Sequence, residues 1–271
     1  MHTVRGSQMT EQSPLFETYA RAPIAFDHGE GSWLVDTRGE RYLAFGGGIA
    51  VSALGHAHPH LVETLREQAG KLWHTSNLYQ VPGQEKLARR LVEATFADKV
   101  FFTNSGAEAM ECAIKTARRY HFANGHPERF RIITFQGAFH GRTLATLTAT
   151  GQEKVQVGFE PLPVGFGYAE LNDLQSVRDQ VTDATVAILV EAIQGEGGVI
   201  VADAAFMTGL RALCDERDLL LLCDEVQCGM GRSGTWFGFE TAGVLPDAFS
   251  LAKALGNGFP IGAALAGPRL A

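Results

Sequence analysis

The chain has 271 residues, 23 Lys and Arg against 30 Asp and Glu, a formal charge of −7 and 45% hydrophobic residues. Such a chain is long enough to bury a sizeable core, which excludes disordered and collagen-like classes. Its acidic balance, without any basic run, argues against a nucleic-acid surface, because phosphate binding draws on clustered Lys and Arg.

Residues 1 to about 13 are polar and read as a loose terminus. Segments 32–36 and 41–45 alternate in polarity about Thr37-Arg38-Gly39-Glu40, the pattern of a hairpin. Pro59 stands at a first helical position, with Leu61, Val62, Leu65, Ala69 and Leu72 recurring at helical spacing. His56, His58 and His60 alternate around it, but Pro59 breaks the extended geometry that would align them on a metal. A turn in which His58 caps the helix is expected instead, and no metal. Leu87, Leu91 and Val92 mark another helix after Pro82-Gly83. From residue 99 the short apolar runs 100–102, 131–135, 187–190, 219–223, 248–251 and 263–266 alternate with amphipathic stretches. Helices are expected at 107–121 and 204–217, the latter with Phe206, Leu210 and Leu213 on one face. This alternation predicts an α/β fold, a mainly parallel sheet with flanking helices.

Cys112, Cys214, Cys223 and Cys228 fit neither a zinc pair nor a secreted disulfide framework, and read as reduced thiols. The N-terminus holds no apolar segment of signal-peptide length, and no stretch approaches the roughly 18 apolar residues of a membrane span. The expected location is the cytoplasm, with neither membrane nor nucleic acid as a partner.

In open α/β sheets ligands bind beyond the carboxyl ends of the strands, so the residues just after each apolar run carry the chemistry. Here they are unusually polar: Thr103-Asn104-Ser105-Gly106-Ala107, Gln136 through Arg142, Glu191 with Gln194-Gly195-Glu196-Gly197-Gly198, Asp224-Glu225-Val226-Gln227, and Lys253. Ser105-Gly106-Ala107 opens a helix, where free N–H groups and the dipole favour a phosphate; a plain serine N-cap is the alternative. Asp224 ends an apolar strand, where a carboxylate needs a cationic or hydrogen-bonding partner to stay charged; a helix cap or internal ion pair would also explain it. Lys253 lies among apolar residues, a setting suited to a Schiff-base nucleophile, although most lysines are simply surface residues. Together an anion seat, a partner for a ring nitrogen and an amine tether are what pyridoxal phosphate requires. Residues 229–234 match the dinucleotide pattern GxGxxG, but Thr235-Trp236-Phe237 does not open a helix, so the pyrophosphate would have no seat.

At these residues the sequence resembles the class III, ornithine-type branch of the fold-type-I pyridoxal-phosphate aminotransferases, and within it the acetylornithine aminotransferases. The resemblance spans about 15–271 and rests on LGHAHPHLVE, LWHTSNLY, FFTNSGAEAMECAIKTAR, FHGRT, QGEGG, DEVQCGMGRSG and LAKALGNGFPIGA. It implies an N-terminal segment over 1–55 and a coenzyme-binding large domain over 56–271. It also implies that Lys253 tethers the coenzyme and shuttles a proton, that Asp224 holds the pyridine nitrogen protonated, and that Gln227 contacts the phenolic oxygen. Phe139 and Val226 would flank the ring, while Ser105, Gly106 and Ala107 would hold the phosphate. Arg142 would bind the substrate carboxylate, with Tyr19 and Glu196 as further substrate-pocket candidates; Tyr19 has a plain packing role as its alternative.

The activity implied is transfer of an amino group from N2-acetyl-L-ornithine to 2-oxoglutarate, a step of arginine biosynthesis, by a homodimer. Other class III donors (succinyldiaminopimelate, succinylornithine, ornithine, 4-aminobutyrate) stay open, as does an inactive remnant or interaction subunit. The family pattern departs at Ala192, usually proline, and at Cys228 and Asn257, usually threonine and glycine. Family chains continue past the lysine through a C-terminal domain, so this chain, ending at Ala271, is expected to lack that domain and to expose apolar surface.

Overall fold

The computed structural model describes residues 13–271, so nearly all of the expected loose terminus lies outside the described residues. A small antiparallel sheet comes first: β1 (Phe26–Glu30), β2 (Trp33–Asp36) and β3 (Arg41–Leu43), in the order β1-β2-β3. The expected hairpin is β2–β3; its turn is held by Asp36, whose Oδ1 accepts the N–H groups of Arg38 and Glu40, both at 2.9 Å. An irregular helical turn, α1 (Gly47–Ala50), leads to α2 (Pro59–Ala69) and α3 (Pro82–Glu93), both opened by proline, whose missing N–H costs nothing there. His58 occupies the N-cap position of α2 but makes no side-chain cap, and its buried Nδ1 has no partner among the described residues, so the expected capping role is corrected.

The remaining elements build one sheet and its helices. They are β4 (Lys99–Thr103), α4 (Gly106–Ala123), β5 (Arg131–Phe135), α5 (Leu144–Ala149), α6 (Glu153–Gln156), β6 (Phe166–Ala169), α7 (Leu174–Gln180) and β7 (Thr185–Val190). A short hairpin of β8 (Ile193–Gln194) and β9 (Ile200–Val201) precedes α8 (Ala204–Arg217), then β10 (Leu220–Asp224), β11 (Ala248–Leu251) and β12 (Gly262–Ala266). The sheet has seven strands in the order β4-β12-β11-β10-β7-β5-β6. Only β12 runs against the others, pairing antiparallel with both β11 and β4.

All six residues of β7, TVAILV, are buried, as a central parallel strand covered on both faces requires. Along β10 the side chains divide: Leu220 and Leu222 join Met110 and Ile114 of α4, while Leu221 and Cys223 join Phe206, Met207 and Leu210 of α8. The face of α8 read from spacing is therefore the buried one. Among the described residues no helix is long and apolar enough to cross a membrane.

Candidate active site

Because the parallel strands point the same way, the loops after β4, β5, β10 and β11 open on one rim. A cavity of about 400 Å³ lies there, lined by Asn104 to Ala107, Phe139 to Arg142, Asp224, Val226, Ala252, Lys253 and residues 259–261, with Val51 from the N-terminal part. Eight of the expected site residues meet in it: Ser105, Gly106, Ala107, Phe139, Arg142, Asp224, Val226 and Lys253. Gln227, Glu196 and Tyr19 are not among the lining residues. Gln227 packs against Gly195 so closely that a Cβ added to the glycine would overlap its Oε1; Glu196 is exposed, and Tyr19 is 65% exposed.

Ser105 caps α4: its Oγ accepts the N–H of Glu108 at 3.2 Å. The Glu108 carboxylate reaches back to accept the Asn104 N–H at 2.6 Å. These contacts satisfy donors on either side and leave the N–H groups of Gly106 and Ala107, the first two of the helix, without a partner among the described residues. The serine N-cap is therefore present, and two helix-terminal amides beside it face the cavity without a partner among the described residues. Gly106 is required by close approach, since a Cβ there would sit 2.9 Å from Val226 Cγ1.

Asp224 is 4% exposed and its partners are explicit. Oδ1 accepts the Val226 N–H at 3.0 Å, and Oδ2 lies 2.8 Å from His140 Nδ1. A carboxylate only accepts, so His140 Nδ1 carries the proton. His140 is 2% exposed; its Nε2 meets Thr134 Oγ1 at 3.1 Å, and its own N–H donates to Thr150 Oγ1 at 2.9 Å. Burial pulls the imidazole pKa down, but the bond to Asp224 and the charges of Asp224 and Glu191 more than offset this, leaving it above the ordinary histidine value.

The fifth polar strand end, Glu191, stands behind the cavity. Its Oε2 accepts the Phe139 N–H at 3.0 Å and so ties the aromatic residue of the rim to the end of β7. The neighbouring Glu225 points away, accepting the N–H groups of Gly238 and Phe239 at 2.7 and 3.0 Å, and burial pushes it up to about 7. His140, Glu191 and Val51 were given no role by the sequence reading. The signal for the first two was burial: polar side chains flanked by apolar runs at strand ends, which only the assembled sheet turns into a cluster.

Lys253 follows β11 at φ +45°, a left-handed backbone conformation unusual for a residue with a long side chain. This sharp turn leaves Lys253 half-buried on the cavity wall. On the rim Asn257, at φ +47°, accepts the Leu54 N–H at 2.7 Å through Oδ1 and donates from Nδ2 to the Gly55 carbonyl at 3.1 Å. Asn tolerates the left-handed region, and here it adds two bonds that glycine could not make. Arg142 is exposed, its guanidinium 5.4 Å from the centre of the Phe139 ring. Chemically the cavity offers two amide donors for an anion, a buried carboxylate for a cationic ring atom, and an amine.

Comparison with known proteins agrees with this chemistry. The chain is 62% identical to the acetylornithine aminotransferase of Mesorhizobium japonicum over 254 residues, covering 94% of this chain and 64% of that protein. It thus spans about 64% of the length of that curated relative. Among solved structures, N-acetylornithine aminotransferase from Stenotrophomonas maltophilia K279a superposes with a TM-score of 0.81 at 43% identity, covering 93% of this chain and 64% of that one. An amine transaminase from an uncultivated Pseudomonas species, solved in its PLP-bound form, gives a TM-score of 0.89 at 27% identity, covering 97% and 66%. Residues 17–270 match the class-III aminotransferase family, and the chain belongs to that family.

Proposed function

We propose that this chain carries the coenzyme site of a pyridoxal-phosphate-dependent aminotransferase. The reaction is transfer of the side-chain amino group of N2-acetyl-L-ornithine to 2-oxoglutarate, giving N-acetylglutamate 5-semialdehyde and glutamate. The observation that carries the reading is the single cavity lined by Lys253, Asp224 and the free amides of Gly106 and Ala107. Similarity to the acetylornithine aminotransferases supports the choice of donor.

The donor set fits the coenzyme. A phosphate dianion is served by the two unpaired N–H groups at the positive end of α4, with the Ser105 hydroxyl beside them. A protonated ring nitrogen is served by Asp224, which the bonds from His140 Nδ1 and the Val226 N–H hold in place at the cavity wall. Phe139 and Val226 supply apolar walls for a flat ring, and Gln227 is assigned to its phenolic oxygen.

When bound, pyridoxal phosphate supplies an aldehyde that condenses with primary amines and a ring that spreads negative charge away from the carbon bearing the amino group. The chain does the rest. Lys253 Nζ would hold the coenzyme and would serve as the base that takes the proton from the amino-bearing carbon and as the acid that returns it. Asp224 retains the proton on the ring nitrogen. Arg142 binds the carboxylate of donor and acceptor, with Tyr19 and Glu196 as further substrate contacts, and Phe139 excludes water from one face. The assembly we infer is a homodimer in the cytoplasm; the apolar Leu78, Tyr79 and Phe101, exposed along one groove, support a partner surface and sedimentation tests it.

The decisive experiment is borohydride reduction after incubation with pyridoxal phosphate. A visible band that borohydride bleaches while leaving the coenzyme covalently attached at Lys253 is expected, and no such attachment in Lys253→Ala. A panel of amino donors with 2-oxoglutarate then ranks N-acetylornithine against succinylated donors, ornithine and 4-aminobutyrate. A chain whose reduced coenzyme sits elsewhere, or that prefers another donor, overturns the corresponding part.

A further inference from the structure

Two buried carboxyls end adjacent strands. Val190 of β7 is the register partner of Cys223 of β10, so the next residues, Glu191 and Asp224, leave the sheet beside each other. They are 5% and 4% exposed. Two carboxylates so placed cannot both hold a full charge cheaply. Among the described residues their donors are unequal: Asp224 receives His140 Nδ1–H and the Val226 amide, whereas Glu191 receives the Phe139 amide alone.

We propose that Glu191 is a positioning residue that carries a proton at neutral pH, so that Asp224 stays the one anion of the pair beneath the cavity. The inference rests on the coenzyme reading for its purpose, but the location of the proton can be tested without it. The groups facing Glu191 are His140 and the Phe139 N–H from the loop after β5, Asp224 and Cys228 from β10 and the turn beyond it, and Lys253 from the segment after β11. Burial, with repulsion from Asp224, outweighs the attraction of His140, Lys253 and the amide, and pushes Glu191 up to about 8. As pH rises past this value, Glu191 gives its proton to solvent and a second anion appears beside Asp224. With a coenzyme bound, that anion would strengthen proton binding by the coenzyme atoms nearest it, so the coenzyme spectrum should register it.

Infrared difference spectroscopy reads the proton directly. The protein without added coenzyme should show a protonated-carboxyl stretching band near neutral pH that is lost on titration above about 8 and is absent in Glu191→Gln. Glu225 contributes a second such band, lost at lower pH, so Glu225→Gln leaves Glu191 as the remaining signal and keeps the test alive if Glu191→Gln fails to fold. With pyridoxal phosphate added, the alkaline shift of the visible band should have a lower midpoint in Glu191→Gln than in wild type, because the variant lacks the second anion. The proposal is overturned if no acid band belongs to Glu191 near neutral pH, or if the midpoint of the alkaline shift in Glu191→Gln equals that of wild type. Failure of both proteins to form a visible band would instead overturn the coenzyme reading, while the infrared titration would still decide where the proton sits.

Discussion

His140 and Asp224, 84 residues apart in sequence, meet through a 2.8 Å bond between Nδ1 and Oδ2 with both side chains sealed from solvent. Removing the imidazole leaves a buried carboxylate with the Val226 amide as its remaining donor. His140→Ala should therefore cost about 3–5 kcal/mol, the range for breaking a buried pair from one side. His140→Gln, whose amide can still donate, should cost less. Chemical denaturation checks both, and an alanine variant as stable as wild type would show that Asp224 does not depend on the ring.

Glu225 should make stability fall as pH rises. Its folded pKa, about 7, lies above the ordinary 4.5, so the folded state holds the proton more tightly. The resulting stabilisation is full below about 4.5 and is lost as pH climbs through about 7. The magnitude is on the order of 3 kcal/mol, from the rise of 4.5 to about 7. Glu225→Gln should flatten that part of the curve, and denaturant midpoints measured across the range test it. An unchanged slope would place the proton dependence elsewhere.

Asn257 should be worth more than its two hydrogen bonds. Asn257→Ala keeps a left-handed backbone with a residue that resists it and drops both contacts, for a loss of about 2–4 kcal/mol. Asn257→Gly loses the contacts without the strain and should cost about half as much. Asn257→Ala should therefore have the lower thermal midpoint; the reverse order would mean that the left-handed backbone at 257 carries little strain, and an Asn257→Gly midpoint equal to wild type would mean that the bonds to Leu54 and Gly55 contribute little.

Gly195→Ala probes Gln227 without touching it. The new methyl would overlap Oε1 of Gln227, which must swing away. If Gln227 contacts the coenzyme as proposed, loss of one hydrogen bond of about 1 kcal/mol weakens binding roughly fivefold. Titration followed by visible absorbance measures this, and an unchanged affinity would remove Gln227 from the site.

Much of the scaffold was legible because a buried parallel strand is written as a continuous apolar run. β5, β11 and α8 begin and end where the pattern placed them. β6 was not legible: Phe166–Ala169 is an edge strand whose glycine interrupts the run, and only pairing with β5 makes it a strand. β1 was missed for a related reason, since its register shifts between Phe26 and His28 and spoils the alternation. At the site, the polar strand ends revealed which loops mattered, because short loops keep their residues near the strand that bears them. The His140 pairing and the burial of Glu191 were hidden, for they depend on which strands become neighbours. The left-handed turn at Lys253 was hidden too, since nothing local in Ala252-Lys253-Ala254 asks for it.

The bonds from Asn257 to Leu54 and Gly55 bridge 203 and 202 residues of chain. Closing so long a loop brings little reward until the intervening sheet has already drawn its ends together. The cavity mouth is therefore the last part of the molecule to lock during folding and the first to open in the native state. Amide deuteration should reach Leu54 well before it reaches the strands beneath, and a polypeptide emerging from the ribosome must extend past Asn257 before the entrance to its own pocket takes shape.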